Sequence, residues 1–199
     1  MNKKLNTAAK LVALAGAFAL TGCAFLPATV NPTYVPQANV QKIPGADKVT
    51  VDVIIKNEKK HKNEVSYKRD GFEIKMAGVY MNVAKVFRSS IDEALYKMGF
   101  NLGLGTTESK KVIVIVKKFY LPTYNGLFED HFDGSMNMQV VVKSTSGNII
   151  YTRDIVVNNI KSGYVIGGAG NAAQRLLSKG VNKLISDSTF IHALLDSAS

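Results

Sequence analysis

Residues 112–116, Val112-Ile113-Val114-Ile115-Val116, are apolar and β-branched at every position. A run that is apolar on both faces indicates a strand in the interior of a sheet. A second β-branched run, Val49 to Ile55, lies upstream, and a helical pattern separates the two. Because two strands joined through a helix form a crossover unit, we expect them to be parallel with a right-handed connection.

The helix of this crossover is predicted to run from Asn82 to about Met98. Its apolar residues recur at spacings of three and four, which places them in one buried stripe. Asn82 can cap the N-terminus, and Gly99 is suited to end the helix. The stripe consists of Val83, Val86, Phe87, Ile91, Ala94, Leu95 and Met98.

The C-terminal half is predicted to contain a hairpin and two helices. Strands at Met136 to Val142 and Ile149 to Val157 flank the turn sequence Ser146-Gly147-Asn148. A helix capped by Asn171 is expected to continue through Ile185, followed by a short helix, Phe190 to Leu195. The predicted fold is α+β in the order β-α-β-β-β-α-α. It has one mixed four-stranded sheet, with the two main helices and the short C-terminal helix packed on one face.

Residues 1–22 have the features of a secretory signal peptide in the expected order. Lys3 and Lys4 give a positive start, and the apolar run Leu11 to Leu20 is too short to span a bilayer. Small residues then lead to Gly22 and Cys23, an arrangement that resembles the lipobox of bacterial lipoproteins. We therefore expect cleavage between Gly22 and Cys23. A covalent diacylglycerol and an N-acyl chain on Cys23 are expected, with no other cofactor.

Cys23 is the single cysteine of the chain. The alternative is a buried, inert thiol, but its position directly after the signal peptide favours lipid attachment. Each buried methylene contributes about 0.8 kcal/mol, so the three acyl chains typical of such lipoproteins would hold the protein permanently. Ala24, in place of Asp, favours the periplasmic face of the outer membrane, by resemblance to lipoprotein sorting in Gram-negative envelopes.

Residues 23–47 are predicted to form a lipidated, proline-rich tether, and residues 48–199 a single α+β domain. Four of the five prolines lie in this tether. Such segments are extended at about 3.1 Å per residue, so the tether can hold the domain away from the membrane. It can also lie as an extended arm along the domain or along a partner, and the sequence leaves this choice open.

The chain is basic, with a formal net charge of +10. Three lysines lie in the signal peptide, which leaves about +7 on the mature chain. A basic surface attracts anionic partners, although a merely soluble, lysine-rich surface is the alternative. Export argues against nucleic acid. The expected partners are the membrane, through the lipid anchor, and an envelope protein or an anionic envelope polymer.

Tyr67, Lys68, Arg69 and Phe72 are the candidate partner-binding residues. Two aromatic residues here frame two cations, and aromatic residues and arginine are favoured as interface anchors. The alternative is a hairpin or loop whose aromatic residues pack on the domain's own core. The segment from Lys56 to Arg69, which includes the first three of these residues, is interpreted as a polar connection.

No catalytic or metal site is predicted. The sequence Glu129-Asp130-His131-Phe132-Asp133 lacks the spacing of a calcium loop and is interpreted as a solvated acidic loop. His61 and His192 are isolated from other metal-ligand motifs. The glycine-rich stretch before Asn171 lacks the spacing of a phosphate-binding loop, and no serine lies in a nucleophile elbow. We therefore expect a protein that is not an enzyme.

Several short motifs resemble the YajG-like family of bacterial lipoproteins. They are Val53 to Asn57, Val65 to Phe72, Met98-Gly99-Phe100 and Asp187 to Leu195, in addition to the lipobox. The resemblance covers nearly the whole mature domain. It implies an envelope lipoprotein of undefined biochemical role, without catalytic residues to assign. The basic segment Lys56 to Lys62 departs from the family pattern.

The predicted function is a lipid-anchored, non-enzymatic binding or scaffolding module, for instance an accessory subunit of an envelope or secretion complex. The alternative is a periplasmic-facing carrier with a groove between sheet and helices for a lipid or a cell-wall fragment. A hydrolase would require Asp130, His131 and Asp133 to gather around a metal ion.

Overall fold

The computed structural model describes residues 26–37, 40–69, 72, 74–103, 105, 108–125, 130–162 and 168–196. The predicted signal peptide, Cys23, Glu129 and most of the glycine-rich stretch before Asn171 lie outside these residues.

The described residues form nine strands and three α-helices. The strands are β1 (Ala28–Thr29), β2 (Thr50–Asn57), β3 (Glu64–Arg69), β4 (Lys75–Tyr80), β5 (Asn101–Leu102), β6 (Lys110–Tyr120), β7 (Thr123–Asn125), β8 (Asp130–Lys143) and β9 (Ile149–Ser162). The helices are α1 (Val83–Lys97), α2 (Gly168–Ile185) and α3 (Ser188–Leu195), and a short 3₁₀ helix covers Ala46–Lys48.

The larger sheet has six strands, with β6 between β2 and β8. The predicted parallel pairing of the first two main strands is confirmed, because β2 and β6 align in parallel from Val51 opposite Lys110 onward. The predicted hairpin is also confirmed as the antiparallel pair β8 and β9, whose turn contains Gly147 at a positive φ of 89°. Two short strands complete the sheet: β5 extends it beside β2, and β7 pairs with the start of β8.

The prediction of one four-stranded sheet is wrong, because β1, β4 and β3 form a second, three-stranded sheet. The sequence predicts a polar connection from Lys56 to Arg69, yet β3 occupies its second half. Only Val65 and Ser66 of β3 are buried, so the strand lacks the alternating apolar residues by which a strand is recognised. The observed order also places β3, β4 and β5 between β2 and β6, where the sequence predicts α1 alone.

The helix boundaries follow the capping residues. Asn82 caps α1 by accepting a hydrogen bond from the amide of Lys85 (3.1 Å), and Gly99 follows its end with a φ of 96°, as predicted. Two predictions are wrong here. Helix α2 begins at Gly168, before the predicted cap Asn171, and the short C-terminal helix begins at Ser188, before Phe190.

Large apolar side chains fill the interface between the larger sheet and the helices. Phe87 of α1 packs edge-on against Phe119 of β6, with ring centroids 5.4 Å apart. Phe190 of α3 packs in the same manner against Tyr151 of β9, at 5.5 Å. Removing such surface from water is the main source of stability in a fold without a disulfide.

Helix α2 lies close against the sheet at Gly180. A Cβ atom there would lie 1.8 Å from Cε of Met136, a buried residue of β8. We expect Gly180→Ala to lower the free energy of unfolding by about 1–2 kcal/mol, because overpacking outweighs the better helix propensity of alanine. Urea denaturation measures the change.

The matched control is Gly170→Ala in the same helix. A Cβ atom at Gly170 would meet only Cγ1 of Val30, at an ordinary 3.8 Å. We expect this variant to be as stable as the wild type or more stable, by up to about 1 kcal/mol. Equal effects of the two substitutions would contradict the close approach at Gly180.

Asp187 joins α3 to the edge of the sheet. Its carboxylate caps α3 by accepting from the Thr189 amide (3.0 Å), and it accepts further hydrogen bonds from Tyr151 Oη (2.7 Å) and Arg153 Nη1 (2.6 Å). Burial alone would raise the pKa of Asp187. The hydrogen bonds that it accepts outweigh burial and hold the pKa below its usual range.

We expect Asp187→Ala to cost about 2–4 kcal/mol, from the lost helix cap and the unpaired hydroxyl of Tyr151. Because the folded state depresses this pKa, the stabilisation is present above the pKa of the unfolded chain, about 3.9, and is lost as pH falls through the lower folded value. Asp187→Asn should therefore weaken the acid dependence of unfolding. Asp154→Ala is the control, since Asp154 forms an exposed ion pair with Lys117 (3.0 Å).

Candidate binding surface

Residues 26–37 form an extended arm along the domain, the second of the two arrangements that the sequence allows. Strand β1 of the arm pairs in parallel with β4, with Ala28 opposite Val79, and the amide of Val30 continues this pairing by donating to the Tyr80 carbonyl (2.9 Å). The proline-rich composition suits this role, because an extended strand at the edge of a sheet tolerates proline.

The middle of the arm is held by two polar residues of α2. Tyr34 is only 5% exposed, and its hydroxyl donates to Asn182 Oδ1 (2.6 Å). The amide of Val35 donates to Ser178 Oγ (2.9 Å), and Asn182 Nδ2 donates to the carbonyl of Val35 (3.3 Å). Burial, and to a lesser extent the carboxylate of Glu93, raises the pKa of Tyr34 to about 12. The tyrosine therefore stays a neutral hydrogen-bond donor.

The sequence prediction missed Ser178 and Asn182. They lie four positions apart, so they share one face of α2. Both are buried within a helix whose other buried residues are mostly apolar. A buried polar pair at this spacing signals a partner that presents backbone groups, here the arm.

The start of the arm is fixed by Lys68, one of the predicted binding residues. Lys68 Nζ donates to the carbonyl of Leu26 (2.9 Å). This contact gives Lys68 an intramolecular role that the sequence did not indicate. It brings the first described residue of the chain beside the β3–β4 hairpin.

Tyr67 and Arg69, two further predicted residues, lie together on β3. Arg69 Nη2 donates to the Tyr67 hydroxyl (2.6 Å), and Lys75 Nζ lies 5.1 Å from the centroid of the Tyr67 ring. The same ring lies 6.2 Å from that of Tyr120 on β6. Burial, followed by the charge of Glu64, raises the pKa of Tyr120 to about 12. Tyr67 is thus half-buried, between cations on one side and a neutral tyrosine on the other.

The base of the hairpin is attached to the larger sheet. The amide of Leu121 donates to the Val65 carbonyl (2.8 Å), and Thr123 Oγ1 donates to the carbonyl of Tyr67 (2.9 Å). Ser66 Oγ donates to the carbonyl of Leu121. These bonds fix the direction in which the hairpin projects from the domain.

The end of the hairpin carries exposed apolar side chains. Phe72 is 87% exposed and Ile74 is 59% exposed, and Leu26, which accepts the hydrogen bond from Lys68, is 64% exposed. The alternative was that the aromatic residues of this segment pack on the core. Tyr67 is partly buried and fits it in part, whereas the exposed Phe72 does not. The structure brings all four predicted binding residues onto one hairpin.

Two buried lysines have structural partners. Lys59 Nζ donates to the carbonyl of Glu64 (2.8 Å), and burial, opposed by the charge of Glu64, lowers the pKa of Lys59 to about 8. Lys110 Nζ donates to the carbonyls of Ala193 (3.1 Å) and Leu194 (2.9 Å) at the C-terminus of α3, and burial lowers its pKa. The basic segment Lys56 to Lys62 is therefore not uniformly exposed to solvent.

The acidic segment differs from its prediction. Asp130 to Asp133 begin strand β8 and do not form a loop. Within the residues that the structure describes, no group of three or more His, Cys, Asp or Glu side chains could hold a metal ion. His61 and His192 are both exposed.

None of the described helices is both long and apolar enough to cross a membrane.

The profile of a family described as uncharacterized lipoproteins matches residues 36–194. This match confirms the resemblance to the YajG-like lipoproteins that the short motifs indicate. No curated protein matches the sequence.

Two solved structures are similar to this chain to different degrees. A crystal structure of a Xanthomonas campestris protein of family DUF330 has a TM-score of 0.55 at 12% identity, covering 82% of this chain and 95% of that one. A minor lipoprotein from Acinetobacter baumannii has a TM-score of 0.40 at 9% identity, covering 72% of this chain and 91% of that one. At this identity, the likeness to the Xanthomonas protein shows the fold alone.

Proposed function

This chain belongs to the YajG-like family of uncharacterized lipoproteins, and from that premise we propose that lipid on Cys23 holds it on the periplasmic face of the outer membrane. There it acts as a non-enzymatic binding or scaffolding module, for instance as an accessory subunit of an envelope or secretion complex. Its partner is an envelope protein or an anionic envelope polymer. The lipobox supports the anchor, and Ala24 supports the choice of membrane.

The observation that carries the proposal is the docked arm. Leu26 is three positions from Cys23 and is held beside the hairpin by Lys68. Because the arm is docked on the domain, a lipid on Cys23 restricts where the whole domain lies relative to the membrane. A fixed orientation serves a protein that presents a surface to others in the envelope.

The surface presented to a partner is formed by the β3 residues of the β3–β4 hairpin, Tyr67 and Arg69. Tyr67 and Arg69 are fixed by their mutual hydrogen bond, and Lys75 forms an ion pair with Glu64 (2.8 Å). Aromatic and arginine side chains held in one conformation lose little entropy on binding, which suits them as anchors.

Crosslinking in intact cells at native expression tests the binding role. We expect a defined partner to be recovered with the wild-type protein, and its yield to fall several-fold for Arg69→Ala, since an anchor of this kind contributes about 1–2 kcal/mol. The matched control is Arg175→Ala, which removes an exposed arginine from α2. Recovery of the protein alone, or equal yields for both variants, would contradict the proposed module.

The carrier alternative requires a groove between the larger sheet and the helices. In the described part of the chain, buried side chains occupy that interface. They include Phe87, Phe119, Met136, Met138 and Leu176. For this reason we favour a module that binds through its surface.

A further inference from the structure

We infer that the end of the β3–β4 hairpin contacts the bilayer to which Cys23 is attached, and that it binds anionic phospholipid headgroups there. We call Leu26, Phe72, Ile74 and Lys75 the hairpin end. The inference rests on the proposed lipidation of Cys23 and deepens it, because it states which face of the domain meets the membrane.

The direction of the arm is the first argument. Strand β1 is parallel to β4, with Ala28 opposite Val79 and Thr29 opposite Tyr80. Followed backward toward its N-terminus, the arm therefore runs the same way as β4 followed backward to its first residue, Lys75. The chain that leads back from Ala28 to Leu26 heads for the hairpin end.

The length of the connection is the second argument. Three residue steps separate Cys23 from Leu26, and a fully extended chain covers about 3.3–3.6 Å per residue. The lipidated residue is thus within about 10 Å of Leu26. A folded domain of 100 residues has a radius of gyration of about 13 Å. The gap is too small for a protein partner to lie between the hairpin end and the bilayer.

The chemistry of the hairpin end is the third argument. Its three apolar side chains, Leu26, Phe72 and Ile74, are between 59% and 87% exposed. Lys68 and Lys75 lie just behind them, since Lys68 Nζ donates to the carbonyl of Leu26 and Lys75 is the first residue of β4. Apolar tips in front of long basic side chains match a membrane interface, where rings and aliphatic groups enter the acyl boundary and cations stay among the phosphates.

The absence of tryptophan from the chain allows a direct test. Phe72→Trp places a single fluorescent probe at the hairpin end of the lipidated, full-length mature protein. The control is Tyr96→Trp, since Tyr96 is 70% exposed near the end of α1. Helix α1 leads into β5 beside the start of β2, whereas the hairpin attaches where β6 ends.

Each protein is reconstituted into vesicles of phosphatidylethanolamine and phosphatidylglycerol with brominated acyl chains. We expect both variants to float with the vesicles. Phe72→Trp should show blue-shifted emission and lose most of its fluorescence to bromine, whereas Tyr96→Trp should keep both its emission wavelength and its intensity. Replacing phosphatidylglycerol with phosphatidylcholine should reduce the quenching of Phe72→Trp.

The outcomes separate the two proposals. If both variants float and neither is quenched, the hairpin contact is wrong although the lipid anchor stands. If both are quenched equally, the orientation is wrong. Quenching that is independent of phosphatidylglycerol would overturn headgroup binding, as would a photo-reactive residue at position 72 that crosslinks to protein and not to lipid in intact cells. If neither variant floats, the anchor is wrong, and the inference fails with it.

Discussion

Cys23→Ser is expected to abolish lipid attachment and to leave a precursor that retains residues 1–22. In the proposed anchor the thiol accepts the diacylglycerol, and a thiolate is the nucleophile in reactions of cysteine. A serine hydroxyl, which is far less acidic than a thiol, does not replace it. Intact-mass measurement would show the uncleaved chain, and metabolic labelling with a fatty acid would show the loss of the acyl groups.

The control for this substitution is Ala24→Asp, one position further along. It keeps the thiol, so lipid attachment and cleavage should be unchanged. By resemblance to lipoprotein sorting, the variant should move from the outer to the inner membrane fraction. A Cys23→Ser protein that is still cleaved after Gly22 and still carries acyl chains would refute the lipoprotein assignment of Cys23. An Ala24→Asp protein that stays in the outer membrane would refute the sorting argument.

Tyr34→Ala is expected to release the arm from the domain and to lower the free energy of unfolding by about 3 kcal/mol. The substitution removes a buried ring and leaves Asn182 Oδ1 without its donor. Urea denaturation would measure the loss of stability. Hydrogen exchange at the amide of Val35, which is bonded to Ser178 Oγ, would report release of the arm directly.

Two controls are needed. One separates the contribution of the Tyr34 ring to stability from that of its hydroxyl, and the other measures the general effect of removing a tyrosine. Tyr34→Phe keeps the ring and should cost about 1–2 kcal/mol, because only the hydrogen bond is lost. Tyr96→Ala removes an exposed ring and should change stability by less than about 0.5 kcal/mol. Unchanged protection of the Val35 amide in Tyr34→Ala would show that Tyr34 does not hold the arm.

The sequence predicted those elements whose residues carry a periodic apolar pattern. The β-branched run at 112–116 lies in β6, between two other strands, and Asn82 and Gly99 mark the limits of α1 as their chemistry indicates. These features depend on local sequence, through the hydrophobic pattern and the capping residues.

The elements that were missed depend on partners distant in sequence. Strand β3 has few apolar residues, and its buried residues, Val65 and Ser66, are hydrogen-bonded to Leu121 far along the chain. Strand β1 has only two residues. The candidate surface was predicted in part: Tyr67, Lys68, Arg69 and Phe72 do share one hairpin. Their neighbour Leu26 could not be predicted, because only the folded chain brings residue 26 beside residue 68.

The contact between Tyr34 and Asn182 also bears on the order of events during the proposed export. The two residues are 148 positions apart, so one end of the domain is needed to complete the other. A chain that crosses the membrane with its N-terminus first exposes the segment around Cys23 well before α2 emerges. During that interval the arm has no docking site on α2, and the segment is accessible to the enzymes that attach lipid and cleave the leader. If the chain is exported and lipidated as proposed, processing thus precedes the last step of folding, in which α2 docks on the arm.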